Sequence, residues 1–135
     1  MKRYCLDTSG YSHLKRGRPE AVEVLDQADF IFVPSVVVGE LWTGFLRGSR
    51  AEQNRQELLE FLSHPVVQEV PVDREVAIFY AELVDSLRRA GKPLPTNDIW
   101  IAAAAGCEGA TVVTYDEHFL AIQRVPVLLL KADPV

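Results

Sequence analysis

From Pro93 to Ala105 the chain reads Pro-Leu-Pro-Thr-Asn-Asp-Ile-Trp-Ile-Ala-Ala-Ala-Ala, and no other stretch constrains the fold as strongly. Prolines 93 and 95 punctuate a loop, and the residues after them read as a helix that is apolar on almost every face. Such a helix cannot lie on a wet surface. It must be central, with its N-terminus abutting other elements. At that N-terminus stands one carboxylate, Asp98. An acid in a helix's first turn complements the helix dipole; alternatively, Asp98 is one member of a set of acids gathered from distant parts of the chain.

The remaining sequence alternates short apolar runs with helical patterns. Arg3–Leu6 reads as a strand ending at Asp7, with Thr8 and Ser9 capping a short helix to about Lys15. Gly17–Arg18–Pro19 breaks that helix, and Pro19 opens a second, Pro19–Ala28. Phe30–Val33 is a continuous apolar run, the pattern of a strand buried on both faces. Ser35 caps a third helix, Val36 to about Arg47, closed by Gly48. A fourth, Ala51–Ser63, turns Leu58, Leu59, Phe61 and Leu62 to the core.

Val66–Val72 follows as a weak strand, placed at an edge or an end by Pro71. Asp73 caps a long helix to about Ala90, with Val76, Phe79, Tyr80, Leu83, Val84 and Leu87 at helical spacing and Gly91 as its stop. After Gly106 and Gly109 come a buried strand, Thr111–Thr114, a short helix, Glu117–Ile122, and a last strand, Val127–Leu130. The alternation predicts one α/β domain over residues 1–135, its mostly parallel sheet covered on both faces. In such sheets the site lies beyond the carboxyl ends of the strands. Asp7 and Asp116 both follow directly on strand-like runs.

Composition narrows the function classes. The 135 residues suit one domain, and 48% hydrophobic with 24% charged residues is ordinary for a globular protein. The opening Met1–Asp7 reaches an acid too early for a signal peptide, and no apolar run approaches the roughly 20 residues of a membrane span. A cytoplasmic protein with no membrane partner is expected. Cys5 and Cys107 have no disulfide or metal-ligand pattern and read as small buried hydrophobes. The net charge of −5 argues against a passive nucleic-acid coat. Four of those charges belong to Asp7, Glu40, Asp98 and Asp116, and a bound cation would cancel much of that excess.

Each of these acids has a plain structural reading. Asp7 suits an N-cap, and Asp116 suits a strand-to-helix cap. Glu40 has Val36 one turn before it and Gly44 one turn after, an apolar and small face on which an unpaired carboxylate costs several kcal/mol; that face meets solvent instead if Val37, Leu41 and Phe45 make the core. Taken together, four acids at or within apolar elements supply the hard oxygen ligands that Mg²⁺ or Mn²⁺ prefers. No Ser/His/Asp set, P-loop or Gly-x-Gly-x-x-Gly accompanies them. An acid-only metal site points to hydrolysis of a phosphodiester, with metal activating water and stabilising the leaving oxygen. His13, His64 and His118 are too scattered for a nucleophile–base pair, and His118 reads as a helix-surface residue. Trp42, Trp100 and Phe45 read as core or interface.

Leu6–Asp7–Thr8–Ser9, Val38–Gly39–Glu40–Leu41–Trp42–Thr43–Gly44, Pro95–Thr96–Asn97–Asp98–Ile99–Trp100–Ile101–Ala102–Ala103 and Val113–Thr114–Tyr115–Asp116–Glu117–His118–Phe119 resemble, in order and spacing, the PIN-domain family, and more narrowly VapC-type toxins of toxin–antitoxin pairs. The resemblance covers essentially the whole chain. It implies a PIN-like three-layer sandwich with a sheet of about 4–5 strands, and a Mg²⁺- or Mn²⁺-dependent ribonuclease acting on RNA. It also implies a homodimer held inactive by a VapB-type antitoxin. Asp7, Glu40 and Asp98 fall on the family's three principal acids and Asp116 on its more variable fourth. Thr114 resembles the hydroxyl residue that positions metal or water, and Thr8 and Asn97 flank the motifs as supporting residues. Two rivals stand beside this reading. A phospho-accepting receiver domain lacks its acceptor Asp, because Phe30–Val33 ends in Pro34–Ser35, and Lys131 comes only after the last strand. A non-catalytic PIN-fold module that binds RNA or a partner keeps the fold without the chemistry.

Overall fold

The apolar runs form five strands: β1 (Arg3–Leu6), β2 (Phe30–Pro34), β3 (Val67–Val70), β4 (Thr111–Thr114) and β5 (Val127–Leu129). The computed structural model describes residues 1–131. The strands lie in the order β3-β2-β1-β4-β5, and every pairing is parallel. Among the described residues, six α-helices flank the sheet: α1 (Thr8–Lys15), α2 (Pro19–Asp26), α3 (Ser35–Arg47), α4 (Ala51–Leu62), α5 (Arg74–Arg89) and α6 (Thr96–Cys107). A 3-10 turn, Glu117–Ala121, leads into β5.

Strand order locates the site before any side chain is considered. The chain lays down β1, β2 and β3 in one direction, then returns through α5 and α6 to place β4 on the other side of β1. Parallel crossovers are right-handed, so this reversal puts α5 and α6 on the face opposite the helices that follow β1 and β2. The carboxyl ends of β1 and β4 therefore flank the topological switch point, where α/β sheets open a crevice. Leu6 pairs with Val113 in the β1–β4 register, which brings Asp7 and Thr114 level at the mouth of that crevice.

Helix α6 is as central as its composition demands. Ile99, Ile101 and Ala102 through Ala105 are all buried, and the helix touches both β2 and β4. Burying one such isoleucine contributes about 1.5–3 kcal/mol, and the alanines between let α6 lie close to its neighbours. Gly106 serves the same closeness and does not stop the helix: a Cβ there would meet the Phe79 ring of α5 at 2.4 Å. The stop is Gly109, whose φ of +61° suits glycine.

Several boundaries differ from the sequence expectation, each for a local reason. Asp7, rather than Thr8 or Ser9, caps α1, because its carboxylate reaches the N–H of Gly10. Helix α2 stops at Asp26 and not Ala28. Ser35 is the first residue of α3 and not its cap; its hydroxyl donates to Glu69 on β3 instead. Leu59 faces outward, 52% exposed, while Leu58 is buried. Asp73 caps α5 as expected, and β3 is an edge strand. Cys5 is fully buried, but Cys107 is only half-buried. No helix among the described residues is long and apolar enough to cross a membrane.

Candidate active site

The deepest acid is Asp7, 4% exposed at the end of β1. Its backbone leaves the strand extended, and its Oδ1 accepts the Gly10 N–H at 2.7 Å as the N-cap of α1. That approach requires glycine: a Cβ on Gly10 would meet the Val113 carbonyl oxygen at 2.5 Å. Ser9 Oγ lies 2.9 and 3.0 Å from the two Asp7 oxygens, and Thr114 Oγ1, fully buried, donates to Oδ2 at 2.6 Å. Burial pushes the Asp7 carboxyl above its ordinary range, while the Thr114, Gly10 and Ser9 donors pull it back. Asp7 thus caps α1 while its carboxylate is enclosed by the Thr114 and Ser9 hydroxyls.

Asp116 leaves β4 on the far side of the switch point. Its N–H donates to Thr114 Oγ1 at 2.9 Å, and its carboxylate accepts from the His118 N–H at 2.9 Å. The His118 ring Nδ1 also lies 2.9 Å from Asp116 Oδ1, with the side chain 67% exposed. His118 is therefore the surface residue expected, yet it leans on an acid of the cluster. Its position two residues after Asp116 was the available signal.

Glu40 corrects the sequence reading in one respect. The face it shares with Gly44 meets solvent, and Val37 and Leu41 make the core instead. Glu40 is half-buried, so burial does not carry its assignment. Its hydrogen bonds do: Thr8 Oγ1 donates to Oε1 at 2.6 Å and Asn97 Nδ2 to Oε2 at 3.2 Å. Through this one carboxylate the starts of α1 and α6 are tied to α3. Thr8 and Asn97 thus stand where the motifs placed them.

Asp98 receives no hydrogen bond among the described residues and sits in the first turn of α6. Burial first, then the charges of Asp116, Glu40 and Asp7, push its carboxyl up to about 6, with His118 opposing. The charges of Asp116, Glu40 and Asp7 thus all reach Asp98. Among the described residues, no three carboxylates stand close enough to cage an ion as they are. Asp7, Glu40 and Asp116 each accept hydrogen bonds from neighbouring donors. The donor set is all oxygen and strongly anionic, which fits Mg²⁺ or Mn²⁺ and excludes a soft-metal preference.

The PIN-domain model matches residues 4–125. The chain belongs to the PIN-domain family, in its VapC branch. It is similar to Ribonuclease VapC5 of Mycobacterium tuberculosis, 32% identical over 87% of this chain and 85% of that protein. It is similar also to Ribonuclease VapC2 of Rickettsia felis, 30% identical over 95% of this chain and 96% of that one. Its fold resembles a chain in a structure of VapBC2 from Rickettsia felis bound to a DNA fragment from their promoter, with a TM-score of 0.80, 27% identity and coverage of 94% of this chain and 98% of that one. The expectation of a PIN-like α/β sandwich with a parallel sheet is met, with five strands.

Two features of this PIN-domain site were not anticipated as such. Ser9, read only as a cap, contacts both Asp7 oxygens and accepts the Tyr115 N–H at 3.0 Å. Gly10 is the close-approach point of α1 on β4. The one sequence signal for both is their place within three residues of Asp7. Elsewhere, Trp100 stacks on Tyr80 with centroids 3.7 Å apart, and Trp42 packs against Phe45, in keeping with core or interface roles.

Proposed function

We propose that this chain is a ribonuclease that hydrolyses RNA phosphodiester bonds with Mg²⁺ or Mn²⁺ held by Asp7, Glu40, Asp98 and Asp116. The observation that carries the reading is that Asp98 is pushed up to about 6 first by burial and then, in the same direction, by carboxylates from the end of β4, α3 and β1. The likeness to relatives named Ribonuclease VapC supports the same activity. When bound, the cation supplies water activation and neutralises charge building on the phosphate and its leaving oxygen.

The chain's own residues then have distinct tasks. Thr114 and Gly10 orient Asp7. Thr8 and Asn97 each hold one oxygen of Glu40 and so orient its carboxylate. His118 restrains Asp116 at the rim. Relatives have been solved as VapBC pairs. On that basis the reading extends to a VapB-type antitoxin partner, and the family resemblance adds a homodimer and a cytoplasmic location.

The test is cleavage of a labelled RNA under Mg²⁺ and Mn²⁺ titration, comparing wild type with Asp7→Asn and Asp98→Asn variants that keep the native circular dichroism. Cleavage should need metal and fall by at least about a hundredfold in both variants, the scale on which lost electrostatic stabilisation acts. Undiminished cleavage by the folded variants would refute the assignment. Co-expression with the product of the neighbouring reading frame, followed by light scattering, tests the antitoxin and the dimer.

A further inference from the structure

We infer that Ser9, braced by the stack of His13 on Tyr115, is a positioning residue that locks the Asp7 carboxylate to the loop delivering Asp116. This rests on the metal-site reading above and deepens it. Two consecutive backbone N–H groups leave β4, and each is fastened to the same carboxylate through one hydroxyl. The Asp116 N–H donates to Thr114 Oγ1 at 2.9 Å, and Thr114 donates onward to Asp7 at 2.6 Å. The Tyr115 N–H donates to Ser9 Oγ at 3.0 Å, and Ser9 donates onward to Asp7 at 2.9 and 3.0 Å.

A hydroxyl has one proton and two lone pairs, so each relay runs in one direction, from N–H through O–H to carboxylate. Hydrogen bonds chained in this way polarise one another. The Gly10 N–H on Oδ1 and Thr114 on Oδ2 already set the carboxylate's rotation; the Ser9 relay adds a second tie between that carboxylate and the loop leaving β4. The hydroxyls meet each other as well, 3.4 Å apart.

Ser9 is itself held from below. His13 lies one turn further along α1, and its Nδ1 is 2.9 Å from the Ser9 carbonyl oxygen. A carbonyl only accepts, so Nδ1 is the protonated nitrogen. The same ring stacks on Tyr115, with centroids 3.7 Å apart and planes at 17°. Helix α1 thus grips Tyr115 twice: its backbone N–H through Ser9 and its ring through His13. Tyr115 is the residue between Thr114 and Asp116, so the grip sets the spacing of Asp7 from Asp116 and hence the fit of a cation between them.

The experiment uses the full chain without RNA. Mn²⁺ binding is followed by calorimetry, and hydrogen exchange of the Tyr115 amide is followed by NMR in EDTA. Ser9→Ala should weaken Mn²⁺ binding on the order of tenfold, the usual effect of removing a partner behind a metal ligand. It should also speed Tyr115 amide exchange on the order of tenfold, as expected for one lost hydrogen bond. Ser9→Thr, which keeps the hydroxyl, should recover most of both. His13→Ala should weaken binding while His13→Phe, which keeps a stacking ring, should not; this pair carries the test if Ser9→Ala fails to fold.

Wild-type Mn²⁺ affinity and amide exchange in Ser9→Ala would overturn the inference alone. Equal behaviour of His13→Ala and His13→Phe would overturn the brace. No Mn²⁺ binding by wild type would overturn the metal reading, and this inference with it.

Discussion

Replacing Asp98 with asparagine should stabilise the metal-free protein while removing its response to metal. Asp98 is the acid without a donor among the described residues, and its carboxyl is displaced from 3.8 to about 6. Because the folded state holds this proton more tightly than the unfolded chain, the stabilisation from Asp98 is complete below about pH 4 and is lost as pH rises through about 6. At about 1.36 kcal/mol per pH unit the whole displacement would amount to roughly 3 kcal/mol.

Solvent screening of a half-exposed group cuts that figure to roughly 1.5 kcal/mol. Asparagine also forfeits the favourable interaction of a carboxylate with the α6 dipole, about 0.5 kcal/mol. The balance is about 1 kcal/mol in favour of the variant above pH 7, or about 3–4 °C in melting temperature for a domain of this size. The assay is thermal melting of wild type and Asp98→Asn in EDTA at pH 7.5 and at pH 4, then with saturating Mn²⁺ at pH 7.5. The variant should melt higher in EDTA at pH 7.5, the gain should vanish at pH 4, and Mn²⁺ should reverse the order. A ligand at a hundred times its Kd stabilises by about 2.7 kcal/mol, which only wild type would receive in full. A variant that melts below wild type in EDTA at pH 7.5 would show that Asp98 is not under the repulsion described.

Three further outcomes follow from the same geometry. Gly10→Ala should cost about 1–3 kcal/mol in urea unfolding, because the new Cβ meets backbone, the Val113 carbonyl, with no side chain to yield; an unchanged midpoint would contradict the close approach of α1 to β4. Thr114→Val should cost a similar 1–3 kcal/mol by orphaning the Asp116 N–H, and should weaken Mn²⁺ binding about 10–100-fold through Asp7, both read on one preparation. Thr8→Val and Asn97→Ala should each leave the melting temperature within a few degrees, since the Thr8–Glu40 contact is only part-buried and the Asn97–Glu40 contact is exposed. Their RNA cleavage rates should fall on the order of tenfold, and unaltered rates in the double variant would remove Glu40 orientation from the mechanism.

The parts of the fold legible in the sequence were those fixed by strong local chemistry. Pro19 starting α2, Asp73 capping α5, Gly91 ending it and the apolar runs of β2 and β4 all express preferences a residue carries with it. Where two local signals compete, only tertiary structure decides. Asp7, Thr8 and Ser9 are three capping residues in a row; Asp7 is the cap that receives the Gly10 N–H, and glycine at that position is what lets α1 lie against β4. Gly106 carries no local signal of its role, which lies in the Phe79 ring of the preceding helix.

The same division governs the site. The four acids were legible because each closes or interrupts an apolar element, but the reason each matters was not. Glu40 drew attention through expected burial, and it is instead held by two donors at a half-open rim. Asp116 was the least supported of the four, and it proves to be the largest charge acting on Asp98 and a participant in the Thr114 relay. Donors to a carboxylate are ordinary serines, threonines and backbone amides, and nothing in their own spacing marks them. They become visible only once β1 and β4 are known to be neighbours. The helix at residues 96–107 is the converse case. Its apolar faces bury it, burial places Asp98 against three other acids without a donor of its own, and that lack leaves Asp98 as the carboxylate with most to gain from a cation.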